Sequence, residues 1–478
     1  MNRSVIRYML AKVILLTGVC MLFPSIVSLF YKESIGGIYL ACSIICLVVG
    51  QLLSFKPKNT SFYAREGFLV VSLSWIVISI IGAFPFYLGK ELPTFTDSLF
   101  EIISGFTTTG ASVALNVEDF SHASLFWRTF SHWFGGMGVL VFLLAILPST
   151  SGQTMYFMKA ESPGPSVGKL VPKMQSTAKY LYSIYAGLTA LEIVFLLFGG
   201  MGVFDAICTA FGTAGTGGFG NYSSSIGGFN TYIQIIVTIF MMLFGVNFNA
   251  YFLIVMKRFK DAVFMEEVRW YFGIYASAVL AITLNLTLVG GNFLTNLQQA
   301  AFQGASIMTT TGFSTLDFNL WPHFSKVIMI MLMFIGACAG STGGGIKVSR
   351  ILIYLKTVYK ELQHLISPRN IKIVMVENKP VDHDVVRSVN IFLIAYLAIF
   401  AGSVAIVSLD NFDASTTFSS VAATLNNIGP GLNLVGPMGN FSMFSHLSKY
   451  VLMFDMLAGR LEIFPMLLLF MPKAWTSR

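Results

Sequence analysis

The stretch Thr107-Thr108-Thr109-Gly110-Ala111 decides how this chain is read. Alone, threonines ahead of a glycine mark a turn and little else. Here they have echoes. Met308-Thr309-Thr310-Thr311-Gly312-Phe313 repeats the stretch almost letter for letter. Thr213-Ala214-Gly215-Thr216-Gly217-Gly218-Phe219 and Asn426-Asn427-Ile428-Gly429-Pro430 are weaker copies. The marker glycines Gly110, Gly217, Gly312 and Gly429 recur at intervals of about 100 residues, which implies a fourfold internal repeat.

Each copy follows a short apolar piece: Phe95 to Phe106, Val203 to Phe211, Leu294 to Met308 and Ala414 to Leu425. These are too short for a bilayer core that needs about 20 residues. A longer apolar segment precedes each piece, at Phe68 to Leu88, Tyr180 to Phe198, Tyr271 to Val289 and Val389 to Leu409. Another follows, at Ser124 to Leu147, Ile233 to Met256, Lys326 to Leu362 and His446 to Phe470. Irregular backbone at membrane depth is tolerated only inside protein or against a water-filled cavity. Four such breaks would therefore converge on one cavity.

Composition agrees. The 478 residues are 55% hydrophobic and only 11% charged, with mean hydropathy +0.73. Soluble domains carry roughly 25% charged residues, so this is a polytopic membrane protein. The expected fold is all-α, four helix–pore-loop–helix units around one central pore plus an N-terminal helix pair. The divisions fall at 1–58 for the pair, then 59–150, 151–260, 261–385 and 386–478 for the units. The second unit takes in a cytoplasmic linker, Pro148 to Ser176. The third takes in a small cytoplasmic hairpin within Asn370 to Asp384. The first apolar segment, Val13 to Phe30, lacks a small-residue cleavage site and reads as a retained helix.

The formal charge is +8, but its distribution excludes a nucleic-acid surface. No basic run is interleaved with exposed aromatics. Lysine and arginine concentrate in Arg3 to Lys12, Lys56 to Arg65, Lys159 to Lys179, Lys257 to Arg269 and Lys347 to Arg387. These are the segments that face the cytoplasm if the N-terminus does. Lys32, Lys90, Arg128, Lys326 and Lys449 fall near the outside, and Arg460 lies within a helix. Such asymmetry orients the chain with a cytoplasmic N-terminus. The five cysteines have no metal-ligand spacing and read as small hydrophobes.

A half-helix that ends at Thr/Asn-Gly presents partial negative charge and free carbonyls. Extended backbone beyond it can replace the hydration shell of a cation with carbonyl oxygens. The candidate donors are Thr108, Thr109 and Gly110; Gly215, Thr216 and Gly217; Thr310, Thr311 and Gly312; and Asn427, Ile428 and Gly429. None is charged, which suits a monovalent ion. Ten acids gather on the outer side: Glu33, Glu91, Asp97, Glu101, Glu118, Asp119, Asp205, Asp317, Asp410 and Asp413. They suggest a vestibule that concentrates cations.

Phe130-Ser131-His132-Trp133-Phe134-Gly135-Gly136-Met137-Gly138, Met308 to Phe313, Ala339 to Lys347 and Asn426 to Gly431 resemble stretches of the Trk/Ktr/HKT superfamily of potassium transporters. The extra helix pair ahead of Lys56 makes the chain most similar to the TrkH type. The resemblance implies a potassium-uptake subunit of the bacterial inner membrane, with potassium as its substrate and no cofactor in this chain. It also implies a homodimer and a cytoplasmic, nucleotide-binding TrkA-type regulatory ring. The Gly-rich run holding Gly340, Gly343, Gly344, Gly345 and Lys347 cannot sit as stable helix, since each glycine costs roughly 1 kcal/mol against alanine. In the family the matching loop gates the pore, and the residue matching Arg460 projects toward it. Asp455 and Glu462 are its alternative partners in the chain. All four marker positions are glycine, which favours potassium, although the chain lacks the Thr-Val-Gly-Tyr-Gly of potassium channels.

Alternatives remain open at this stage: a sodium-coupled symporter of broken-helix type, or the membrane subunit of an ATP-driven potassium pump. An enzyme is not expected, because there is no His-Glu-x-x-His and the six histidines are scattered.

Overall fold

The computed structural model of the protein describes residues 2–55, 64–138, 174–368, 372–377 and 379–476. The expected turn at Lys56 to Asn59, the end of the first returning helix and most of the linker from Pro148 lie outside them.

The N-terminal pair comprises α1 (Arg3–Cys20), α2 (Leu22–Tyr31) and α3 (Gly36–Leu53). The first span therefore begins ten residues before Val13, and α1 and α2 meet at Met21, just ahead of Pro24. Gly18 and Gly50 allow α1 and α3 to pack backbone to backbone: a β-carbon at Gly50 would stand 2.6 Å from Leu15.

The first unit has α4 (Ala64–Leu88), α5 (Phe95–Phe106) and α6 (His122–Gly136). The second has α7 (Met174–Phe198), α8 (Val203–Gly215), α9 (Thr231–Phe244), α10 (Phe248–Val255) and α11 (Phe259–Val263). The third has α12 (Glu266–Val289), α13 (Phe293–Met308), α14 (His323–Ile335) and α15 (Val348–Ile366). The fourth has α16 (His383–Val407), α17 (Ala414–Leu425), α18 (His446–Arg460), α19 (Phe464–Leu469) and α20 (Pro472–Trp475). A two-stranded hairpin, β1 (Met375–Val376) and β2 (Lys379–Pro380), pairs Met375 with Pro380 and Val376 with Lys379.

Six described helices or helix runs are long and apolar enough to cross a membrane, seven if the bent pair α9–α10 is one span. Their outward faces are apolar and exposed, as lipid requires (Leu288 is 86% accessible and Ile394 69%). Two large cores form behind them, with a small third around Tyr185, Phe244 and Phe248. One joins the N-terminal pair with units one and four, the other joins units two and three.

The half-helices α5, α13 and α17 start at side-chain caps: Thr94 accepts from Asp97 N–H, Asn292 from Leu294 N–H and Asp413 from Thr416 N–H. Each such cap satisfies a donor that would otherwise be unpaired.

The returning helices differ from expectation. The sequence predicts an interruption in the third alone, yet α6, α9, α14 and α18 all stop after 13 to 15 residues. Between α9 and α10 the chain bends by 90°. The bend is held by sterics and hydrogen bonds. A β-carbon at Gly245 would stand 2.3 Å from the Tyr271 hydroxyl, so the close approach needs glycine. Asn247 then caps α10 by accepting from Asn249 N–H at 2.9 Å. In unit four the break falls at Leu461 to Ile463, where Glu462 and Ile463 both take positive φ.

Candidate functional site

The four half-helices end in the same way. In each, a residue in the left-handed region follows the last helical turn: Thr108 (φ 56°), Thr216 (φ 55°), Thr310 (φ 59°) and Asn427 (φ 55°). Its N–H bonds three residues back, to Gly105, Thr213, Ile307 and Thr424 carbonyls respectively. The next N–H bonds five residues back, to Ser104, Gly212, Ser306 and Ala423. This is a Schellman termination, which ordinarily takes glycine at the left-handed position. Threonine there is β-branched and strained, at a cost of order 1–3 kcal/mol each, and strain of that kind persists where the surroundings over-determine it.

Two residues further on stands a glycine of positive φ: Gly110 (81°), Gly218 (80°), Gly312 (86°) and Gly429 (95°). The marker of the second unit is thus Gly218, not Gly217. The equivalent triplet is Thr216-Gly217-Gly218, displaced by one residue from Gly215-Thr216-Gly217. The Thr-x-Gly of units one and three and the Asn-x-Gly of unit four carry that register in the sequence.

These glycines close a ring. A β-carbon on Gly110 would stand 2.0 Å from the Gly217 carbonyl oxygen, and one on Gly218 would stand 2.1 Å from that of Thr311. One on Gly312 would meet Ile428 O at 2.2 Å, and one on Gly429 would meet Thr109 O at 2.7 Å. Unit one touches two, two touches three, three touches four, and four returns to one. A side chain at any of the four contacts would force the facing backbone to shift. Asn427 fastens the seam between four and one, donating to Thr109 Oγ1 at 3.0 Å and to Met456 O at 2.9 Å.

On one side of the ring lies a cavity of about 130 Å³ bordered by Gly110, Gly218, Gly312 and Gly429. Its charged lining residue is Arg128; none of the ten outer acids lines it. The expectation of a carboxylate-rich vestibule is therefore corrected, because these acids are committed to holding loops and helix starts. Glu101 is fully buried against Arg128 at 2.7 Å and accepts from Val113 N–H at 2.9 Å. Asp97 pairs with Lys449 at 2.7 Å. Glu33 accepts from the His122 and Ala123 N–H groups, Glu91 from Ser121, Glu118 from Ser223 and Asp410 from Ser445. Burial raises the Glu91 carboxyl above its ordinary range.

On the other side lies the Gly-rich loop between α14 and α15. Gly344 N–H donates to Thr310 Oγ1 at 2.6 Å, and Gly345 N–H to Asn426 O at 3.1 Å. A β-carbon on Gly343 would stand 2.8 Å from Thr309 O. Gly340 O accepts from Phe248 N–H at 3.1 Å, tying the loop to the bend after α9. The Lys347 ammonium bonds the Gly343 carbonyl within the loop. Glu267, on the first turn of α12, was not singled out from the sequence. It accepts from Ala339 N–H at 2.6 Å and from Asn247 Nδ2 at 3.1 Å.

Arg460, at the C-terminal end of α18, reaches into the same place. It donates to Thr342 O at 2.8 Å, to Gly135 O at 2.6 Å and to Gly136 O. Three units therefore meet on one guanidinium. The two carboxylates considered as its partners are otherwise engaged: Glu462 pairs with Arg350, and Asp455 accepts from Ser403 Oγ at 2.7 Å. Among the described residues no cluster of three or more His, Cys, Asp or Glu could hold a metal ion. The ring offers carbonyls and hydroxyls.

Comparison with known proteins matches this architecture. The family model described as "TrkH: Cation transport protein" matches residues 38–477. The chain is 37% identical over 482 residues to the Trk system potassium uptake protein TrkH of Salmonella typhimurium, covering 99% of both. It is 33% identical over 493 residues to the Trk system potassium uptake protein TrkG of Escherichia coli, covering 100% of both. The crystal structure of the potassium transporter TrkH from Vibrio parahaemolyticus superposes with a TM-score of 0.89 at 34% identity, covering 100% of each chain. A multi-pass membrane protein with this fold and these relatives belongs to the TrkH family of cation transport proteins.

Proposed function

We propose that the protein takes up potassium across the bacterial inner membrane, selecting the ion at the carbonyl ring. The observation that carries this reading is the closed set of contacts from Gly110 through Gly218, Gly312 and Gly429. Backbone held that closely cannot relax around a smaller ion without breaking contacts in all four units. The helix ends add partial negative charge from four directions, and the absence of carboxylates around the ring suits a monovalent cation.

The Gly-rich loop, through Gly340, Gly343, Gly344, Gly345 and Lys347, acts as the gate beneath the ring, and Arg460 is its latch. With Arg460 bound to Thr342 O and the α6 carbonyls, the loop stays under Thr310 and Asn426. Opening requires those bonds to exchange. The signal comes from a cytoplasmic, nucleotide-binding TrkA-type ring, in keeping with the "Trk system" naming of the relatives. The protein works as a homodimer with its N-terminus in the cytoplasm, the side on which its basic segments concentrate.

The test is growth rescue of a potassium-uptake-deficient bacterium at low potassium, with and without a TrkA-type partner. Rescue that depends on the partner supports both parts. Rescue without the partner removes the regulatory part, and no rescue in either case removes the uptake reading.

A further inference from the structure

We propose that His132 is a specificity-positioning residue, serving as the missing side chain of the second filter quarter. This rests on reading the ring as a cation filter. In unit one the Thr107 hydroxyl donates to Ile103 O at 2.7 Å and pairs with Thr109 Oγ1 at 2.8 Å. In unit three Thr309 does the same, with Ala305 O at 2.7 Å and Thr311 Oγ1 at 2.7 Å. These hydroxyl pairs brace the backbone behind the ring. The equivalent positions in unit two are Gly215 and Gly217, which have no side chains to pair.

Helix α6 occupies both places. A β-carbon at Gly215 would stand 2.3 Å from His132 O. One at Gly217 would stand 2.3 Å from Cγ and Nδ1 of the His132 ring itself. The two glycines are where they are because His132 is already there. The imidazole is fully buried and spans two quarters. Its Nδ1 lies 2.7 Å from Gly105 O, the same carbonyl that accepts from Thr108 N–H in the first quarter. Phe219 N–H, directly after Gly218, donates to Nε2 at 3.2 Å. Because Nε2 accepts, the ring proton resides on Nδ1 and is donated to Gly105. The ring also lies against Phe219, with centroids 4.3 Å apart. His132 thus fixes Gly217 and Gly218 from behind and fastens them to unit one, without itself touching the ion.

The experiment compares potassium and sodium flux in liposomes holding the purified full chain. His132→Ala should lower the potassium-to-sodium ratio roughly tenfold, the effect of losing two buried hydrogen bonds. His132→Gln can accept from Phe219 N–H and donate to Gly105 O, and should keep a ratio near the parent's. Gly217→Thr should fail to give monodisperse, conducting protein, and adding His132→Ala to it should restore both properties. A parental ratio in His132→Ala, or a well-tolerated Gly217→Thr beside an intact His132, overturns the inference. If His132→Ala does not fold, His132→Gln is read instead, and a collapsed ratio there overturns it equally. A parent that fails to discriminate refutes the filter reading itself, whereas a selective parent with a selective His132→Ala refutes only the role of His132.

Discussion

The carbonyl oxygen of Gly217 lies where a β-carbon on Gly110 would clash, 2.0 Å away. That contact joins two units about a hundred residues apart in the chain, and its three counterparts close the circle. A ring of this kind is stiff in all its parts at once. It sets the strained threonines directly behind the carbonyls proposed to select the ion.

Arg460 binds carbonyls of Thr342, Gly135 and Gly136, so it holds the loop and α6 together from a third element. Arg460→Ala should raise potassium flux measured in liposomes without the cytoplasmic partner. The variant must elute as folded protein for the comparison to count. Folded protein with unaltered flux would contradict the latch.

Glu267 accepts from Ala339 N–H and Asn247 Nδ2 at once. Glu267→Gln would point an amide donor at the Asn247 donor, leaving a buried group unsatisfied at a cost of about 1–3 kcal/mol. Adding Asn247→Asp restores a donor–acceptor match and keeps the cap on Asn249 N–H. Thermal unfolding should show the single variant destabilised and the double variant recovered. A double variant no better than the single would remove Glu267 as the anchor of the loop.

How much of this was legible in the sequence differs by element. The half-helices and the markers Gly110, Gly312 and Gly429 were legible because each short apolar piece runs into a Thr- or Asn-bearing stretch ending in glycine, repeated at similar spacing. In the second unit the run Gly215-Thr216-Gly217-Gly218 offers several glycines, and backbone conformation selects Gly218 rather than Gly217. The break after α9 was hidden, since Gly245 sits near the end of the apolar run Ile239 to Val246 and its reason is the Tyr271 hydroxyl from another unit. The outer acids misled because a carboxylate that caps a helix start and one that lines a vestibule look alike in sequence. Only the partner distinguishes them, and the partners of Glu33, Glu118 and Asp97 lie 89, 105 and 352 residues away.

The Glu101–Arg128 pair is buried on both sides, at 0% and 1% accessibility. Removing one partner leaves an uncompensated charge, which costs about 3–5 kcal/mol. Glu101→Ala should therefore lower the yield of folded protein and its melting temperature sharply. A variant melting within a few degrees of the parent would contradict this.

Asp413 caps α17. The Thr416 hydroxyl and N–H and the Asn433 amide hold its carboxyl below the ordinary 3.8. A depressed value stabilises the folded state above pH 3.8 and is lost as pH falls through the lower folded value. Asp413→Ala should cost about 0.5–2 kcal/mol at neutral pH. Melting curves should show parent and variant converging as pH drops below 3.8. A gap that persists or widens in acid would contradict the assignment.

The central claim is that the ring selects potassium, and Gly312 tests it most directly. A side chain there meets both a φ of 86° and the Ile428 carbonyl at 2.2 Å. Potassium and sodium flux should be measured on the parent and Gly312→Ser in the same liposomes. The expected result is a selective parent and a variant whose potassium-to-sodium ratio falls roughly tenfold, about 1.4 kcal/mol, with flux retained. An unchanged ratio in conducting Gly312→Ser protein would contradict it.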